Sequence, residues 1–493
     1  MDQNQNGEFP WRQGGETTNT DPIPPDASNK TAPKSLSLGV VALLVCVAIV
    51  LSVIVTYTVA SSSLRTAYVS ELYQKQETIN TLKSELAKID GEESSEYGKL
   101  RLLERLFEAS SYYEGKVSDE ERLEAVLKAY AASTGDKYAE YYTAEEYAKI
   151  LEDNAGNHVG IGVSVIHSEV TVENYTYTCF EVVSVFKNSP AEKNGVRVGD
   201  CIVGIKIEGT YRGVSELGGY ASALSAMQGD DGTLAELMIF RKDKGAYRSL
   251  ELSIVRGAYV AESVSYTTAE GDPSVGIVRI AEFDLTTPVQ FKAAMKALGD
   301  AGVKKYVFDV RNNPGGDLLS IKAVLSYFLN EGDLILSAID RNGVTKDSYY
   351  AEPQGFFGEY ASCNVAKSEV GMYRDLDMVV LCNGNTASAA EVFTATMRDY
   401  DLAPVVGETT YGKGIMQTII NLASASGGVY DGFVKMTTYA YVTRCGVTYH
   451  EIGVKPTVGG ELPLSEEALE YSIYLLPQSI DNQLQAAIAE VKK

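Results

Sequence analysis

The chain has 493 residues, with 43 Lys+Arg against 66 Asp+Glu and a formal net charge of −23. Such acidity argues against a nucleic-acid partner and suits a solvated ectodomain, and the length allows two or three domains plus appendages. Six cysteines without a Cys-x-x-Cys spacing give neither a disulfide framework nor a zinc site, so no metal or other cofactor is expected.

Residues 1–35 are polar, contain five prolines and lack apolar periodicity, and read as a disordered cytoplasmic tail. Leu36–Ala60 is a charge-free run long enough, as one transmembrane helix, to cross a bilayer. A cleaved signal peptide is the rival, since Thr58-Val-Ala60-Ser resembles a cleavage site; the length of the run and the tail before it favour an uncleaved anchor. Lys30 and Lys34 precede the run, which places the N-terminus in the cytoplasm and the bulk of the chain outside the cell membrane, held by a single pass.

Residues 61–97 form a stalk. There Leu72, Ile79, Leu82, Leu86 and Ile89 are spaced for a short coiled coil, and an assembly of identical chains is compatible with it. Residues 98–154 read as amphipathic helices, with Leu102, Leu103, Leu106 and Phe107 on one stripe. Residues 155–257 carry His158-Val-Gly160-Ile-Gly162 before a strand, then Ser189-Pro-Ala-Glu-Lys-Asn-Gly195 and Gly199-Asp200. This combination resembles a PDZ domain. In such a module Val159, Gly160, Ile161 and Gly162 would offer backbone N–H groups to a terminal carboxylate beside an open strand edge; a structural module that binds nothing is the alternative. From Val275 onward apolar runs alternate with helical stretches, the α/β pattern, in a core spanning 258–460. A helical segment, 461–493, closes the chain.

Three segments of that core carry chemistry. Met378-Val-Val-Leu381 leads into Asn383-Gly-Asn-Thr-Ala-Ser388-Ala-Ala-Glu391, and Pro404-Val-Val406 into Gly407-Glu-Thr-Thr-Tyr-Gly-Lys413-Gly-Ile-Met-Gln417. Both read as strand ends that deliver a side chain to the rim of a sheet. Ser388-Ala-Ala-Glu391 is a capping box, and Ser388 is on local grounds an N-cap. A serine at that position also has free N–H groups beside it, Ala389 first, that favour a developing oxyanion. Gly407 to Gly414 matches a nucleotide-binding loop except that Gly414 stands where the metal-holding Ser/Thr belongs; an exposed turn lysine is the plainer alternative. The histidines, His158, His167 and His450, are poorly placed for a triad. Lysine chemistry would need Lys413 neutral, hence desolvated, with Gln417 orienting the amine. The third segment, Val307-Phe-Asp309-Val-Arg-Asn-Asn-Pro314-Gly315-Gly316, is a strand running into a Pro-Gly-Gly turn.

Together these segments resemble the carboxyl-terminal processing peptidases, tail-specific serine proteases with a PDZ domain, over about residues 100–458. The resemblance implies an α/β protease core with an inserted PDZ domain of mixed β/α type and an N-terminal helical segment, to which the run Leu36–Ala60 adds one transmembrane helix. It also implies Ser388 as nucleophile, Lys413 as general base, Gln417 as its orienting partner, and Ala389 with Gly315 as oxyanion donors. The expected function is a membrane-anchored serine endopeptidase whose PDZ domain engages the C-termini of protein or peptide substrates. A non-catalytic PDZ scaffold on a degenerate protease fold is the alternative. Asn-Asn-Pro replaces the commoner Gly-Asn-Pro, and Ser337–Arg374 has no assigned place.

Overall fold

The computed structural model describes residues 115–493 and three earlier positions, Leu100, Leu103 and Phe107. The tail, the anchor at 36–60 and the stalk at 61–97 lie outside the described residues. Among those described, no helix is long and apolar enough to cross a membrane. The two described members of the early stripe, Leu103 and Phe107, are helical and exposed.

Helix α1 (Asp119–Ala132) starts at a capping box closed by Ser118 and Glu121, and α2 (Ala144–Asn154) at one closed by Thr143 and Glu146. Between them lies a strand, β1 (Glu140–Tyr142), so the segment 98–154 is not helical throughout. Tyr141 and Tyr142 are buried there, and β1 finds its hydrogen-bonding partner far along the chain.

Strand β2 (Asn157–Gly160) pairs with β9 (Gly257–Val260) and brackets the next unit. That unit is an antiparallel sheet of β3 (Val163–Val172), β4 (Tyr175–Val185), β5 (Cys201–Ile207), β7 (Leu234–Asp243) and β8 (Ala246–Val255), in that order, with β6 (Thr210–Gly213) on β5. Helices α3 (Pro190–Lys193) and α4 (Tyr220–Met227) accompany it. Phe180, Val182, Ile202, Ile205, Leu237 and Ile239 fill its own core. Inside this unit, buried Asp200 takes two bonds from Arg241, which compensate the burial of both charges.

The remaining chain builds a second core. Strands β10 (Val264–Ala269), β11 (Asp272–Ile280), β12 (Lys305–Asp309), β15 (Asp377–Cys382) and β16 (Val405–Gly407) form one sheet in that order, parallel from β11 onward. Both faces are covered, so β12 and β15 read as continuous apolar runs. One face packs against α5 (Thr287–Asp300), α6 (Leu318–Ser326) and α7 (Ala389–Asp399), where Phe291, Phe308, Phe328 and Phe393 interlock. The other packs against the C-terminal helix α9 (Asn482–Val491) through Leu484, Ala487, Ile488 and Val491. Buried Arg311 ties that helix to the sheet by bonding both Asp309 and Asp481.

A second sheet joins β1, β18 (Phe433–Val442), β13 (Leu334–Ile339) and β14 (Thr345–Tyr350), with β17 (Ile415–Asn421) also on β18; α8 (Leu422–Ser426) follows β17. The stretch Ser337–Arg374 is thereby placed. It holds the second half of β13, the turn into β14 and β14 itself, and a coil with short 3₁₀ turns at Gly358–Cys363 and Lys367–Glu369.

Candidate active site

Parallel strands place all their carboxyl ends on one edge of a sheet, where ligands bind in open α/β folds. Here β12, β15 and β16 are neighbours, so the loops that follow them meet. These loops are the three segments whose chemistry the sequence singles out. They are zipped together by polar side chains. Asn383 Nδ2 donates to Asn312 Oδ1 at 2.8 Å, Asn312 N–H donates to Asn383 Oδ1 at 3.0 Å, and Thr386 Oγ1 donates to the Val310 carbonyl at 2.8 Å. Backbone bonds add Ala387 N–H to the Asn313 carbonyl and Tyr411 N–H to the Thr386 carbonyl, each at 2.9 Å.

Ser388 stands where β15's loop enters α7. An N-cap residue ordinarily has extended dihedrals, but Ser388 has φ 54° and ψ −119°. A non-glycine residue in that conformation is strained, and such strain collects at functional sites. Ser388 is the N-cap of α7, as its capping box implies, and it is also a sharp elbow with its side chain mostly buried. Gly315, at φ 105°, packs flat against it; a Cβ on Gly315 would lie 2.6 Å from Ser388 Cβ and 2.8 Å from Ala389 N. Only glycine permits that approach. The Gly315 N–H is turned away and donates to Asn313 Oδ1 at 2.8 Å. By contrast, the N–H groups of Ala389 and Gly316 have no hydrogen-bond acceptor among the described residues. The free donor of the Pro-Gly-Gly turn is thus Gly316 rather than the expected Gly315. The reason is local: Asn313 folds back on the turn and takes the Gly315 N–H.

Glu391, the fourth residue of the capping box, does more than cap. It is completely buried. Its Oε2 accepts the Ser388 N–H at 2.9 Å and the Lys413 N–H at 2.7 Å; its Oε1 accepts Thr410 Oγ1 at 2.5 Å and the Gly412 N–H at 2.6 Å. One carboxylate therefore fixes the serine elbow against the lysine loop, and its charge is fully hydrogen-bonded.

Lys413 is half-buried in the loop two residues before β17. Burial pushes its ammonium below the ordinary lysine value, and the charges of Lys435 and Lys137 push the same way, while Tyr411 and Glu391 oppose them. Among the described residues no hydrogen bond joins Lys413 Nζ to Ser388 Oγ. Instead Nζ rests 4.4 Å from the centre of the Tyr138 ring. Gln417 does not reach the amine either: its Nε2 donates to Thr437 Oγ1 at 3.1 Å. Tyr441 of β18 is also near Ser388: burial raises its phenol to about 12, and the serine side chain partly offsets the rise.

His450 lies in a loop, as expected, with Nδ1 3.3 Å from the Gly412 carbonyl oxygen. His158 stacks on Tyr259 and His167 lies on β3, both away from these loops. Of the four positions expected to face a peptide terminus, Val159 and Gly160 end β2, while Ile161 and Gly162 form the turn into β3. Gly162 has φ 80° and packs on Ser189, which leaves no room for a side chain. Among the described residues no group of side chains could hold a metal ion.

Sequence reasoning missed the reach of Glu391 and the parts played by Tyr138, Tyr441 and Asn313. Glu391 was visible as the end of a capping box, but its three partners in the 410–413 loop were not. Tyr138 lies in the loop between α1 and β1, far in sequence from the three segments of the site.

The chain is similar to known peptidases. Residues 274–459 match the model of peptidase family S41. The carboxy-terminal processing protease CtpA of Bacillus subtilis (strain 168) is 30% identical over 355 residues, covering 72% of this chain and 67% of that protein. A carboxy-terminal-processing protease of Bartonella bacilliformis is 30% identical over 344 residues, covering 69% of this chain and 70% of its own. Among solved structures, a putative S41 protease from Bacteroides fragilis superposes with a TM-score of 0.50 at 17% identity, over 79% of this chain and 96% of that one, which speaks to the fold alone.

Proposed function

The chain belongs to peptidase family S41, among the carboxy-terminal processing serine proteases, and we propose that it cleaves protein substrates with Ser388 as nucleophile and Lys413 as general base. The observation that carries this reading is the buried Glu391 carboxylate, one oxygen of which accepts the N–H groups of both Ser388 and Lys413 and so joins their two loops. Neutral Lys413 Nζ takes the Ser388 hydroxyl proton as Oγ attacks the scissile carbonyl carbon. The tetrahedral oxyanion is held by the Ala389 N–H, reinforced by the positive end of α7, and by the Gly316 N–H. The intermediate collapses to an acyl-enzyme as Lys413 returns the proton to the departing amine, and water then repeats the sequence to release the acid.

Gln417 serves as orienting partner only after exchanging its Thr437 contact for the lysine amine. The module at 155–257 acts as a PDZ domain that docks a substrate's terminal carboxylate on Val159, Gly160, Ile161 and Gly162. The run Leu36–Ala60 anchors the enzyme in the cell membrane with its catalytic part outside. The deciding experiment compares wild type and Ser388→Ala on an unstructured protein with an apolar C-terminus. Cleavage by the wild type alone is expected, and equal cleavage by both would remove Ser388 as nucleophile.

A further inference from the structure

The Gly135–Tyr142 segment belongs to no catalytic loop, yet it reaches the lysine. It is pinned to β18 at two points. Asp136 accepts the Thr437 N–H at 2.7 Å through Oδ2 and Thr437 Oγ1 at 3.0 Å through Oδ1. Lys435 Nζ donates to Glu140 Oε2 at 2.8 Å and to Tyr142 OH at 2.5 Å. Between these anchors stands Tyr138, whose ring carries Lys413 Nζ at 4.4 Å from its centre and Lys137 Nζ at 4.9 Å. Thr437 is also the residue that occupies Gln417 Nε2. The segment therefore touches the lysine and shares Thr437 with the residue expected to orient it.

We infer that Tyr138 is a positioning residue for the base: its ring is a docking place that holds the charged Lys413 side chain away from Ser388, and catalysis requires the lysine to leave it. The inference rests on the Ser388–Lys413 reading. An aromatic face attracts an ammonium through its quadrupole and has little attraction for a neutral amine. The docked state is thus the charged, idle state, and the released state the neutral, working one. The other groups that face Lys413 do not provide this contact. Lys435 and Lys137 repel it, Tyr411 offers a phenol that is hydrogen-bonded to Lys137, Glu391 is consumed by backbone donors, and His450 approaches the Gly412 carbonyl.

The test uses Tyr138→Phe, which keeps the ring, and Tyr138→Leu, which keeps apolar bulk but removes the quadrupole. Each is assayed for kcat/KM against pH in the full chain. Tyr138→Phe should match wild type. Tyr138→Leu should move the rising limb of the profile to lower pH and raise the rate near neutrality, on the order of 3- to 10-fold for a contact of this strength. A wild-type profile in Tyr138→Leu, or a loss of rate without any shift of the limb, overturns the inference. The lysine's own titration, followed by NMR in a Ser388→Ala background with and without Tyr138→Leu, reads the same shift without relying on turnover. Lys413→Ala separates the two levels of the argument: activity in that variant defeats the Ser-Lys reading itself, whereas inactivity there with an unshifted Tyr138→Leu defeats only the role of Tyr138.

Discussion

Glu391 Oε2 accepts the backbone N–H of Lys413 at 2.7 Å, and the same oxygen accepts the N–H of Ser388 at 2.9 Å. Removing that carboxylate leaves four donors facing a void, those of Ser388, Thr410, Gly412 and Lys413. Unsatisfied buried donors cost about 1–3 kcal/mol each. Glu391→Ala should therefore unfold several degrees or more below wild type and lose most of its kcat. Glu391→Gln should also lose activity, because its amide NH₂ would face N–H donors. Thermal melts with peptide kinetics check both, and a Glu391→Ala protein of native stability and rate would show the clasp to be dispensable.

Ser388→Ala should abolish cleavage and leave the melting temperature within a few degrees. Ser388→Gly goes further. The φ of 54° is strained for serine and free for glycine, so this variant should be inactive and more stable, by about 1 kcal/mol or less. Equal or lower stability of the glycine variant, seen in a denaturant titration, would argue against stored strain at the elbow.

The pH dependence follows from Lys413. Its ammonium is held below the ordinary lysine value, by burial first and then by Lys435 and Lys137. The neutral base is the working form, so the rate rises with pH through an apparent pKa below the free-lysine value of about 10.4. Lys137→Gln removes one repelling charge and should move that limb to higher pH. The stability sign is opposite to that of a favourable ion pair. A depressed lysine pKa destabilises the fold at low pH, and this penalty disappears as pH rises above the unfolded value. Lys413→Met should therefore be inactive yet more stable than wild type at neutral pH, and equal to it in strong base.

If the module at 155–257 docks substrate termini, amidating the C-terminus of a peptide substrate should raise KM or weaken binding while the scissile bond stays the same. Calorimetry with paired free and amidated peptides measures this, and indistinguishable binding would leave the module a structural role only.

If Leu36–Ala60 is an uncleaved anchor, full-length protein should sediment with membranes, and residues after Ala60 should be open to protease added outside intact cells. Full-length protein in the soluble cytosol would be incompatible with that topology.

The sequence by itself determined the α/β pattern of the core and singled out the loops that the fold brings together at the candidate site. Val307-Phe308, Met378–Leu381 and Val405-Val406 are apolar because their strands are covered on both faces, and the Gly, Asn and Pro residues that follow mark the turns. These signals are local, so they survive in a linear reading, as does the helix at 482–491 within the closing segment. The antiparallel unit at 163–255 was legible for the same reason: Gly162, Ser189-Pro190 and Gly199-Asp200 are turn and cap residues whose spacing belongs to its loops. Only the tertiary structure decided how the side chains engage one another. Asp136 meets Thr437 across 301 residues, and that register alone puts Tyr138 over Lys413 and gives Thr437 to Gln417. The choice between Gly315 and Gly316 hung on which N–H Asn313 takes, and the elbow at Ser388 on a dihedral that no residue type announces. A strand's apolar pattern is written in its own residues; the pairing of one loop's N–H with another's carboxylate depends on register and dihedrals fixed only when the whole chain packs.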